Sequence, residues 1–231
     1  MELRRFCWSE LDTITRRLVG QSLNLDLDSL NRDFELCIYI DIEGKMRGEV
    51  GKTYNLNIAL EDGRRITSST KIPRIIPIDS AQFIKPPGEN QNDTLAQMRA
   101  WANDPRGPDY YRYFTAINGS AYTAGRNSVA DDAFFDGINT KFNLLRSVPR
   151  GETVDQPELF GLWRRGDSIS IKFCTIDENS FGFWNTLEQS ANRGGPFANY
   201  LKTKHNVVGG LGGWCGYGVS YFNARVPKLK K

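Results

Sequence analysis

Histidine is nearly missing from this chain of 231 residues, with His205 as the single example. A His-Glu-x-x-His zinc pattern therefore cannot be written. No Gly-x-Ser-x-Gly stands elsewhere to recruit His205 into a nucleophilic triad. Between Lys204 and Asn206 it reads as an exposed loop residue. Cysteine is scarce too. Cys7, Cys37, Cys174 and Cys215 lie far apart without a Cys-x-x-Cys, so neither a zinc site nor a redox motif is spelled. They permit two disulfides and require none; mostly free, buried thiols are the expectation. No apolar run reaches the roughly 18 residues of a membrane span. The opening, Met1 to Trp8, lacks the long apolar core of a signal peptide, which leaves either a cytosolic chain or a start other than the exported one. An excess of one charge is also lacking. Thirty basic against 27 acidic residues give +3, too near balance for nucleic acid, which demands a clustered basic face. The run Lys228 to Lys231 is a solubilising chain end.

Phosphate-binding loops fail on register. Gly51-Lys52-Thr53 ends like one, but the glycine required five residues earlier is Met46, and a strand rather than a helix follows. Gly209, Gly210, Gly212, Gly213, Gly216 and Gly218 never fall into Gly-x-Gly-x-x-Gly and lead into a β-rich stretch, so no helix N-terminus is offered to a pyrophosphate. No repeat of fixed period exists.

What the chain does have is aromatic residues, at 12%, and 22 glycines, a mixture that suits sheets and tight turns. Residues 2–19 place Leu3, Cys7, Leu11, Ile14 and Leu18 at helical spacing, although Thr13-Ile14-Thr15 also suits a strand. Leu23 to Asp28 alternates at period two, as an edge strand would. Phe34–Ile40, Thr53–Leu60 and Arg64–Thr70 read as strands of an antiparallel meander, the last two joined by an Asp62-Gly63 turn. Ile72 to Pro87 holds four of the ten prolines and reads as a strand around Ile78–Phe83 with stiffened ends, at the boundary between two units. Residues 92–101 suggest a short helix capped by Asn92 or Asp93. Further strands are predicted at Tyr110–Ile117, then past an Asn118-Gly119 turn at Ser120–Thr123, and at Lys141–Val148, Ser168–Thr175 and Gly218–Val226. Asp177 is placed to cap a helix near 178–192, with Phe181, Trp184, Leu187 and Ala191 on one stripe.

The fold class is therefore mainly β: an antiparallel sandwich with a second β-rich unit and one or two short helices. The expected divisions are 1–33 as a divergent or truncated N-terminal segment, 34–87 as an N-terminal β unit, and 88–231 as a C-terminal β-rich unit. Two candidate sites emerge. The Gly-rich strand is flanked by aromatics, and Trp214, Tyr217 and Tyr221 could form a platform on which a sugar ring or peptide stacks, unless they simply line a close-packed strand. Asp131, Asp132, Asp136 and Asn139 bring four oxygen-bearing side chains within nine residues, a partial shell for calcium, although Asp136-Gly137 is first a turn. No catalytic residue and no other cofactor is called. A carboxylate pair for hydrolysis has no sequence signature, because the pairing is spatial.

The order of landmarks resembles a known family. Gly48-Glu49-Val50-Gly51-Lys52-Thr53-Tyr54-Asn55-Leu56, then Asp62-Gly63-Arg64-Arg65-Ile66-Thr67-Ser68-Ser69-Thr70 and Ile72-Pro73, is similar to a passage of the Bacteroidota envelope lipoproteins known as domain of unknown function 4249. Tyr110-Tyr111-Arg112, Asp131-Asp132-x-x-Phe135-Asp136-Gly137, Gly166-Asp167-Ser168-Ile169-Ser170, Phe183 to Glu188 and Trp214-x-Gly216-Tyr217 resemble its later landmarks. The likeness spans about 34–226; residues 1–30 do not resemble the family's first β unit. It implies an immunoglobulin-like or related sandwich at the outer membrane, facing the periplasm or the cell surface and held by a lipidated cysteine. Cys7, after Arg4-Arg5-Phe6, lacks the lipobox such lipidation needs. The resemblance further implies an accessory role beside a TonB-dependent receptor in nutrient uptake. The leading expectation is thus a non-enzymatic envelope protein binding a partner protein or glycan. The competing readings are a carbohydrate-active or peptide-cleaving hydrolase and a calcium-stabilised module.

Overall fold

The computed structural model describes residues 2–17, 36–86, 93–148, 159–192 and 201–229. The alternating segment at residues 23–28 lies outside these. By contact density the chain forms two units, Met1–Gly48 and Glu49–Lys231. The division falls after Gly48, and the proline-rich stretch up to residue 87 belongs wholly to the second unit.

In the first unit, β1 (Arg4–Cys7) pairs antiparallel with β2 (Cys37–Ile40), with Cys7 directly opposite Cys37. These two cysteines are joined in a disulfide, which corrects the expectation of mostly free thiols; Cys174 and Cys215 are free. Strand pairing brings together residues 30 positions apart, a proximity invisible in sequence spacing. The pairing also replaces the helix expected over 2–19. Strand β1 gives way to a 3-10 turn at Trp8–Glu10, and among the described residues of this stretch helix appears only at 13–17. That turn of helix is started by Asp12, whose Oδ1 accepts from the Ile14 and Thr15 N–H groups at 2.9 and 3.0 Å.

The second unit is mainly β, built from antiparallel sheets without a closed barrel among the described residues. A small sheet holds β3 (Thr53–Ala59), β4 (Arg65–Lys71) and the two-residue β12 (Val207–Val208), in the order β12-β4-β3. The Asp62-Gly63 hairpin forms as read: Gly63 takes φ +84° and Asp62 Oδ1 accepts from the Arg64 N–H. One large sheet centres on β6 (Leu95–Asn103), flanked by β5 (Ser80–Ile84), β9 (Asn139–Leu144) and β10 (Trp163–Arg164). The other runs β13-β11-β7-β8, with β7 (Tyr110–Ile117), β8 (Thr123–Asp131), β11 (Ser168–Ile176) and β13 (Tyr217–Arg225).

These two sheets share one core, as a β-sandwich does. Ala96, Met98 and Ala100 of β6, with Leu144 and Trp163, meet Tyr111, Ile169, Ile171 and Phe173 of the facing sheet. Trp163 is buried, and its indole N–H donates to the Leu144 carbonyl at 2.8 Å, so its one polar atom is satisfied. The strand β6 overturns the short helix expected at 92–101. Leu, Gln, Met, Arg and Ala are helix formers, but Ala96, Met98, Ala100 and Ala102 are buried at every second position, and cross-strand pairing decides.

The helix α1 (Glu178–Asn192) lies where expected. Asp177 caps it, Oδ1 accepting from the Ser180 N–H at 2.7 Å, while Oδ2 accepts from the Thr70 hydroxyl and the Lys71 N–H at 2.6 and 2.8 Å. One carboxylate thus starts the helix and ties it to β4. The Gly-rich segment is a close-packed entry to β13: a Cβ at Gly218 would stand 2.6 Å from the Pro73 carbonyl oxygen.

Candidate binding site

Side-chain alternation decides what the sheet β13-β11-β7-β8 shows on its outer face. Tyr111, Tyr113 and Ile117 point into the core, as do Ile169, Ile171, Phe173, Phe222 and Ala224. Their neighbours Arg112, Phe114, Ser170, Lys172, Tyr217 and Tyr221 therefore share the opposite face. Register sets Lys172 across from Phe114 on one side and Tyr221 on the other. The Lys172 ammonium stands 5.2 Å from the Phe114 ring centroid and 6.0 Å from that of Tyr217. Tyr221 is 60% exposed and lies 5.9 Å from the 41% exposed Tyr122, whose hydroxyl hydrogen-bonds with Ser170 Oγ at 2.6 Å. The result is an exposed tyrosine pair bordered by a half-buried phenylalanine and a lysine.

Of the three platform residues read from sequence, Tyr217 and Tyr221 reach this face and Trp214 does not. Tyr217 is half-buried and accepts a hydrogen bond from Arg112 Nη1 at 2.9 Å; burial pushes its phenol above its ordinary pKa. Trp214 turns to the small sheet, its indole N–H donating to the Tyr54 carbonyl at 3.0 Å. Sequence reading missed Tyr122, Phe114 and Lys172. Tyr122 carried a usable signal: Asn118 and Gly119 both take positive φ, as a tight hairpin turn requires, and the chain past that turn folds back over β7.

Beneath α1 the same face closes over a polar knot. Arg112 is 5% exposed. Its guanidinium carbon lies 3.4 Å from the Trp184 ring centroid and 4.8 Å from that of Phe114. Its Nε donates to Ser128 Oγ at 3.2 Å; the Ser128 hydroxyl in turn donates to Glu188 Oε1, and the Ser128 N–H donates to Glu188 Oε2 at 2.7 Å. Glu188, 4% exposed, is thus linked to Arg112 through one serine. On the expected apolar stripe of α1, Phe181 stacks on Tyr110 at 4.9 Å and Trp184 on Arg112, but Ala191 is exposed, and the residues most deeply buried are Ser180 and Glu188.

The four oxygen-bearing residues considered for calcium go separate ways. Asp131 Oδ1 accepts from the Ala133 N–H, Asp136 Oδ1 accepts from the Gly107 N–H at 2.7 Å, and Asn139 opens β9 in an exposed position. Asp132 instead joins Asp104 and Asp109, with carboxylate oxygens within 4.8 Å of one another and all three residues buried. Protein donors already serve this group. Asp104 accepts from the Tyr111 hydroxyl and the Gly137 N–H, Asp132 from the Asp109 N–H at 2.8 Å, and Asp109 from the Arg74 guanidinium. Burial raises the Asp132 pKa, and the hydrogen bond to Asp109 raises that of Arg74. The cluster ties together the loops between β6, β7, β8 and β9 around one arginine.

His205 is exposed, as read, and sits where two polar recesses of about 400 and 600 Å³ adjoin. Both recesses are also lined by Asn179 and Asn206.

A family model described as "Domain of unknown function (DUF4249)" matches residues 27–220. No curated protein and no solved structure is detectably similar to the chain.

Proposed function

The chain belongs to the family described as Domain of unknown function (DUF4249), and on that premise we propose that it is a non-enzymatic binding protein of the cell envelope, associated with the outer membrane and accessory to nutrient uptake. Its partner is a TonB-dependent receptor or a glycan, engaged through the outer face of the sheet β13-β11-β7-β8. A lipid anchor would be its only link to the bilayer. The observation that carries the binding reading is the exposed Tyr122–Tyr221 pair beside Lys172. Tyrosines combine a flat apolar surface with a hydroxyl, a mixture enriched where proteins meet their partners. The Cys7–Cys37 disulfide supports the compartment, because such bonds persist where thiols are not kept reduced.

The test is affinity capture from native outer membranes using the wild-type chain and a Tyr122→Ser/Tyr221→Ser variant. Co-purification of a receptor or a glycan with the wild type, lost in the variant, is the supporting result. Recovery of the wild type alone and in the cytosol, or equal capture by the variant, overturns the proposal.

A further inference from the structure

We infer that the interior of the sandwich is a second binding site, for a small neutral aromatic molecule. A cavity of about 270 Å³ lies between the sheets, walled by Tyr111, Tyr113, Phe135, Phe142, Leu144 and Phe173. At its rim are the exposed Asn127, Ala130 and Asn143, on or beside the edge strands β8 and β9. Close-packed interiors hold few voids larger than water. An apolar cavity of about 150 Å³ already stays dry and takes up benzene, so this one has room for a fused pair of rings.

Three features narrow the occupant. The first is a ladder of near-parallel rings: Phe135 on Tyr111 at 6.1 Å and 29°, Tyr111 on Phe173 at 5.3 Å and 19°, Phe173 on Phe142 at 6.0 Å and 18°. A flat ring extends such a stack, whereas a flexible chain loses entropy to conform to it. The second is charge. Asp104 is the one ionisable acid or base among the lining residues apart from the tyrosines, and its two oxygens are taken by the Tyr111 hydroxyl and the Gly137 N–H. With no basic side chain on the wall, an anion would be buried without a counter-charge. The third is a polar handle. Tyr113 lines the cavity, and burial pushes its pKa up to about 12, so its hydroxyl remains a donor. A ligand carrying one acceptor would satisfy it.

Titration calorimetry with 2-naphthol as the neutral bicyclic probe, and decanoate as an anionic chain of similar bulk, tests the site. Saturable one-to-one binding of 2-naphthol, weakened roughly two- to tenfold in Tyr113→Phe and abolished in the cavity-filling Thr140→Phe, is the expected result. Ala102→Phe replaces Thr140→Phe if circular dichroism shows the latter unfolded. A wild-type reading independent of any variant is the ring-proton NMR shift of Phe142 and Phe173 on adding 2-naphthol. Absence of saturation, unmoved ring signals, undiminished binding by a folded filled variant, or decanoate binding as tightly as 2-naphthol each overturns the inference.

Discussion

Glu188 shows at the scale of one residue why a charge can sit inside this protein. A buried carboxylate without partners is very costly, yet here the Ser128 hydroxyl and N–H both donate to it, and Ser128 also accepts from Arg112. Glu188→Ala leaves the Ser128 N–H and hydroxyl without their acceptor and is expected to cost about 2–4 kcal/mol in urea unfolding; Glu188→Gln keeps an acceptor and is expected to cost about half as much. Cys174 gives a pH signature. Burial pushes its thiol from 9.0 up to about 11. A raised folded-state pKa favours the native state below the unfolded value, and that contribution is lost as pH rises through the folded one. Between about pH 8 and pH 11 the wild type should therefore lose up to roughly 2–3 kcal/mol more stability than Cys174→Ala, read from thermal midpoints of both. Cys174 is the free, buried thiol that the sequence led one to expect, whereas Glu188 was not legible beforehand. Glu188 follows Leu187 on a helix where charge normally faces water, and nothing in the sequence places Ser128 beneath it. For the same reason Trp214 and Tyr217, three residues apart, were read as one platform although the chain bends between them toward different partners.

Elements were more legible where a local cause fixed them. The turns at Asp62-Gly63 and Asn118-Gly119 and the Asp177 cap all form, because residue chemistry within four positions suffices for each. The strand β6 was misread because its residues are locally helix-prone and only pairing with β5 and β9 makes the alternation pay. Strand β1 was misread as helix likewise, since its partner β2, itself read as a strand, lies 30 residues on. The cap of α1 supports a direct test of element-level coupling. Asp177 serves the helix through Oδ1 and β4 through Oδ2, so Asp177→Ala is expected to cost about 2–3 kcal/mol, more than a cap alone. Asp177→Asn, which retains a capping oxygen, should recover part of this; denaturant midpoints for the three proteins decide it. If Asp177→Ala cost no more than about 1 kcal/mol, the link to β4 would contribute nothing beyond capping.

For the whole molecule, the order of landmarks along the chain was informative although each motif alone was weak, and it led to the family; the disulfide was not foreseen. The two kinds of cysteine now give the location proposal a chemical test. Cys7 and Cys37 are bonded within the first unit, whereas Cys174 is a buried thiol and Cys215 a half-buried one in the second. Loop closure over this span is worth about 3.6 kcal/mol to the structure it constrains, so a compartment that kept thiols reduced would forfeit that stabilisation. Protein taken from native cells with thiols trapped at lysis, then unfolded without reductant and alkylated, is expected to take up two labels, on Cys174 and Cys215, and four once reduced. Labelling before unfolding should spare Cys174, since its thiol is buried and held protonated at neutral pH. Four reactive thiols in unreduced native material would mean that the chain resides where the Cys7–Cys37 bond does not form, and the envelope assignment would fall with it.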